Sequence, residues 1–173
     1  RPEETSPEVD ENANFPPAEF YLAEALAGGD AALLKETFER IDEQEFTHPL
    51  LRRFVELILA HYLNHASFSL DELSVEELDE PMQRFVAGLA VKTETISDFW
   101  REKDPEYSEP NPWKTARDCL VRMQIDRLRR DEEALLATLR SAESASDNEE
   151  ELLSELVTIA QKVRELTILL VGD

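Results

Sequence analysis

From Trp113 to about Ala142 the chain has neither glycine nor proline. As a helix, that run is a rod of ~45 Å at 1.5 Å per residue. Its apolar stripe changes face along the way. Trp113, Ala116, Leu120 and Met123 share one side, whereas Val121, Ile125, Leu128, Leu135 and Leu139 form another, with Glu132 on one of its steps. Such a helix packs its first part on one body and its second part on another.

Glu143 to Asn148 predicts a turn, with Ser146 or Asp147 as the cap of a last helix from Glu149 to about Val171. There Leu152, Leu156, Ile159, Val163, Leu166 and Leu170 alternate steps of four and three, a heptad seam. The short connection makes the last two helices antiparallel.

The preceding part is also helical by pattern. Phe20, Leu22 and Leu26 belong to a first short helix ended by Gly28-Gly29. Asp30 caps a second, carrying Leu33, Leu34, Phe38 and Ile41. After a turn from Asp42 to His48, Pro49 opens a third, whose buried face is Leu51, Val55, Ile58 and Tyr62. Ser69 with Glu72, and Ser74 with Glu77, have the spacing of capping boxes. Asp79 and Pro81 start a further helix through Met82, Phe85, Val86 and Leu89. Pro105, Pro110 and Pro112 make Lys103 to Pro112 an irregular loop, flanked at most by a single turn around Ile96, Phe99 and Trp100. Strand signals are weak throughout.

The expected fold is all-α: a compact helical bundle followed by a long helix and a C-terminal antiparallel helical hairpin. Residues 1–14, polar and acidic, read as a disordered tail or linker, 15–128 as the bundle and 129–173 as the hairpin.

Charge and glycine content narrow the chemistry. Lys plus Arg number 18 and Asp plus Glu 39, a net charge of −21, which opposes unaided binding to phosphate backbones or anionic lipid. The four glycines, Gly28, Gly29, Gly88 and Gly172, assemble no phosphate-cradling loop. No apolar run approaches the ~20 residues of a membrane span. The lone Cys119 forms no internal disulfide, and the chain opens on Arg1-Pro2 without a Met. From these we expect an excised domain of a larger cytoplasmic protein.

Candidate chemical sites are few. His61 and His65 are four apart on one helix, a spacing that places two imidazoles on a common metal, but no Cys pair or His-Glu-x-x-His motif accompanies them. Two helix-end histidines are the simpler account. Cys119 has Arg117 and Arg122 near it in sequence, which favours a thiolate, yet cysteine is most often buried packing. Between Trp113 and Arg130 lie Lys114, Arg117, Arg122, Arg127, Arg129 and Arg130 against Asp118 and Asp126, a local balance of +4. That stretch most simply offsets the acidic bundle beside it; its functional alternative is a landing site for an acidic peptide or, as a weaker alternative, nucleic acid.

The stretch Asp42-Glu-Gln-Glu-Phe46-Thr-His-Pro49-Leu-Leu-Arg-Arg-Phe54, preceded by two short helices, resembles the C-terminal domain of bacterial replicative DNA primases. So do Ile96-Ser-Asp-Phe-Trp100 and Asn111-Pro-Trp-Lys-Thr-Ala-Arg-Asp-Cys-Leu120, with the acidic turn and heptad helix that follow. The resemblance covers Pro17 to the end. It implies a non-catalytic domain that docks on the N-terminal domain of the replicative DNA helicase and couples primer synthesis to unwinding. The parent would be a primase, a DNA-directed RNA polymerase, whose catalytic and zinc-binding parts lie upstream. No cofactor, metal or direct nucleic-acid contact is then expected in this fragment. Some family members also grip the acidic tail of single-stranded-DNA-binding protein with basic residues near the first helix. Here no Lys or Arg occurs between Arg1 and Lys35, and Glu19 and Glu24 occupy that helix, so the grip is missing unless the arginines of the long helix supply it. The alternatives are the N-terminal domain of the helicase itself, a helical-bundle metal protein or enzyme using His61 and His65, and a regulatory helical adaptor.

The partner contact is expected on the terminal helix. With the seam turned to the long helix, Leu153, Val157, Ala160, Arg164, Ile168 and Val171 fall on an adjoining flank that a two-helix hairpin has no third element to cover. The alternative is that this flank packs on the bundle.

Overall fold

The computed structural model describes residues 15–103, 111–141 and 146–171, with side chains described for all of these except 75, 92–103, 146 and 147. The expected tail, most of the Pro-rich loop and the first half of the acidic turn lie outside them. Six α-helices are described: α1 (Pro17–Ala27), α2 (Ala31–Arg40), α3 (Pro49–His65), α4 (Glu80–Lys103), α5 (Pro112–Ser141) and α6 (Ser146–Val171). Single 3₁₀ turns occur at Glu43–Glu45, Leu70–Glu72 and Val75–Glu77. The described residues contain no strand. The fold is all-α.

Local chemistry sets most boundaries. Pro16 and Pro17 enter α1, where a missing N–H costs nothing. Gly29 ends the connection at φ +74°, and a Cβ there would lie 2.2 Å from the Phe68 carbonyl oxygen. Only glycine fits both that dihedral and that approach. The Asp30 carboxylate accepts from the amides of Ala32 and Leu33, capping α2. Asp79 accepts from the Met82 amide at the start of α4 and also from Arg53 of α3. The Arg53 hydrogen bond, with the Met82 amide, holds its carboxyl below the usual range. Ala66 closes α3 in the left-handed region, at φ +56°, with its N–H on the Tyr62 carbonyl.

The core joins α1, α2, α3, the start of α4 and the first half of α5. Leu22, Leu33, Leu34, Phe46, Leu51, Phe54, Ile58, Met82 and Leu120 are fully enclosed, each burial being worth about 1.5–3 kcal/mol. Packed between them, α1 lies against both α3 and α5, and α6 lies along α5. Of the predicted α5 faces, Ala116, Leu120 and Met123 belong to the core, whereas Leu128, Leu135 and Leu139 are half-buried beyond it. The change of face is the change of neighbour.

Three expectations fail in detail. The helix predicted through Leu89 continues to Lys103, so Ile96 to Trp100 belong to α4 and not to a separate turn. Gly88 lowers helix propensity there, but a Cβ at that position would meet only open space, so nothing terminates the helix. Ser69 makes no side-chain cap, because a single 3₁₀ turn follows rather than an α-helix. Helix α6 begins at Ser146, ahead of Glu149. The caps proposed at Ser146 and Asp147 concern side chains outside those described.

Candidate interaction surface

Each step of the heptad seam on α6 turns toward α5. Ile159 is 7% exposed, and Leu152, Leu156, Val163, Leu166 and Leu170 are half-buried. Adjoining the seam lies the flank Leu153, Val157, Ala160, Arg164, Ile168 and Val171. Its aliphatic members are 48% exposed at Leu153, 68% at Val157, 63% at Ile168 and 80% at Val171, while Ala160 and Arg164 are also exposed. The bundle does not cover them. Near the base of the hairpin, Thr167 and Leu170 of α6 line a groove with Pro16, Pro17 and Arg122.

Sequence reasoning missed the other side of the hairpin. Thr158, Lys162 and Leu169 on α6 face Leu128, Asp131 and Leu135 on α5 across a groove of about 890 Å³. Leu169 is largely exposed there. The signal was present, since Glu155, Thr158, Lys162, Glu165 and Leu169 precede seam positions by one, but mixed polarity hid it. The hairpin thus presents an aliphatic ridge on one flank and a charged-rimmed apolar groove on the other.

Charges at the base of the hairpin are partly consumed inside the fold. Arg117 donates to both Glu36 oxygens, at 3.3 and 3.4 Å, and its guanidinium lies 5.6 Å from the Trp113 ring centre. Arg127 donates to Glu45 at 2.7 Å. Burial pushes the Glu45 carboxyl above the usual range, and Arg127 works against that shift. A second missed residue is Glu19, an acidic side chain in the core. Its carboxylate accepts from the Thr47 amide and hydroxyl and from the His48 amide, just ahead of α3.

The other candidate chemistry is placed as follows. His61 and His65 have ring centres 4.8 Å apart, and His61 Nδ1 is 3.5 Å from a Glu72 oxygen. That approach is an ion pair when the ring is protonated, but it is too poorly directed for a hydrogen bond. Among the described residues, no group of three His, Cys, Asp or Glu side chains is placed to hold a metal ion. Cys119 is buried, and desolvation pushes its thiol up against the pull of Arg122, the opposite of an activated nucleophile. No described helix is long and apolar enough to cross a membrane. No protein-family model, curated protein or solved structure matches the chain.

Proposed function

We propose that this chain is a non-catalytic interaction domain of a DNA primase, which docks on the N-terminal domain of the replicative helicase and couples primer synthesis to unwinding. The observation that carries this reading is the exposed aliphatic stripe of α6 on a hairpin that extends from the bundle core. A stripe of one helix face, with Arg164 as its single charge, suits helix-in-groove recognition. The sequence resemblance supplies the partner. The −21 charge and the scarcity of glycine agree with a role through protein rather than nucleotide contacts.

The test is co-elution of the chain with the N-terminal domain of a cognate replicative helicase at moderate salt. A stable shared peak is expected, and separate elution overturns the proposal. Metal analysis of the same sample checks the competing account, because stoichiometric zinc or iron would assign the chemistry to His61 and His65.

A further inference from the structure

The basic cluster of α5 splits into two groups. Arg117 and Arg127 are engaged with Glu36 and Glu45, whereas Arg122, Arg129 and Arg130 are exposed and make no ion pair among the described residues. These three line one groove of about 490 Å³ at the base of the hairpin. Three carboxylates share its lining. Glu19 is taken by Thr47 and His48, and Glu45 by Arg127, which leaves Asp126 as the single unengaged acid against three arginines. Neutral donors leave the Glu19 charge in place, so with Arg127 counted the groove sets four arginines against three carboxylates, a net charge of +1 on a strongly negative protein.

Pro16 and Pro17 line the same groove. The segment before them, Arg1–Asn14, carries Glu3, Glu4, Glu8, Asp10 and Glu11 against a single Arg1. We propose that this acidic leader occupies the groove, with its carboxylates against Arg122, Arg129 and Arg130. Reach is no obstacle. At about 3.3 Å per residue a few residues beyond Phe15 span the base of the hairpin. A tether this short holds its charges at an effective concentration of the order of millimolar, so individually weak ion pairs suffice. A separate acidic protein competes for the same arginines but lacks that advantage.

Amide spectra of the full chain decide the matter. One variant neutralises the leader (Glu3→Gln, Glu4→Gln, Glu8→Gln, Asp10→Asn, Glu11→Gln), and another combines Arg129→Ser with Arg130→Ser. Neutralising the leader shifts the amides of residues 122–130, and the arginine variant reciprocally shifts those of residues 3–11. Both effects fade at about 0.5 M NaCl, where the screening length is roughly 4 Å. Residues 122–130 unmoved by the neutral leader overturn the proposal. So does a response of those residues only to an added polyglutamate peptide, which would assign the groove to a second protein.

Discussion

The Glu19 carboxylate of α1 is bound by Thr47, through both its amide and its hydroxyl, across 28 residues of sequence. With the His48 amide it completes three hydrogen bonds at the entry to α3. A charged side chain in the core thus holds the turn that aims the longest helix of the first half. Replacing Glu19 with Ala leaves these donors without an acceptor, at a cost of about 3 kcal/mol. Glu19→Gln keeps one accepting oxygen and is expected to lose less. Urea unfolding measures both, and equal stability for Glu19→Ala and the parent would contradict the assignment.

Glu45 and Arg127 predict a pH dependence. Burial raises the folded-state pKa of Glu45 above its unfolded value, so its contribution favours the fold in acid. That contribution is lost as pH rises from the unfolded pKa through the folded one. Arg127 limits the loss. Arg127→Ala is expected to destabilise by about 1 kcal/mol at pH 7 and progressively less toward pH 5, with Glu45→Gln restoring most of the difference. Thermal melts of the two single variants and the double variant across that range provide the check.

The two left-handed residues among those described, Gly29 and Ala66, predict opposite outcomes. Gly29→Ala brings a Cβ onto the Phe68 carbonyl at a positive φ, so a loss above about 2 kcal/mol is expected. Ala66→Gly relieves a strained alanine at the end of α3 and is expected to gain up to about 1 kcal/mol. Denaturant midpoints of the two variants should move in opposite directions.

For the ridge, Val157→Asp and Ile168→Asp each place a charge on the exposed flank. Helicase binding is expected to fall by more than tenfold, about 1.4 kcal/mol. Because both positions face solvent, stability should stay within about 0.5 kcal/mol of the parent. Calorimetric titration with the helicase domain, alongside thermal melts, separates the two effects.

Much of this architecture was legible because local signals act over a few residues. Gly28-Gly29, the Asp30 cap, Pro49 and the seam from Leu152 to Leu170 each specify their own neighbourhood, and the structure keeps them. What escaped was set by residues distant in sequence. Glu19 reads as a surface acid of an amphipathic helix until Thr47 is placed against it. The division of the arginines into paired and unpaired members depends on Glu36 and Glu45, some eighty residues away. Helix α4 outran its predicted end because Gly88 weakens a helix without obliging it to stop.

Helix α5 crosses Arg127 to Glu133 unbroken. Mechanically it is a lever. Its anchored end is gripped at Ala116, Leu120 and Met123, and its arm beyond the bundle, from Asp131 to Ser141, is ~15 Å long at 1.5 Å per residue. A sideways load near Leu139 therefore arrives at Leu120 as torque. Trimming Leu120 would loosen the aim of the hairpin without touching any residue on it.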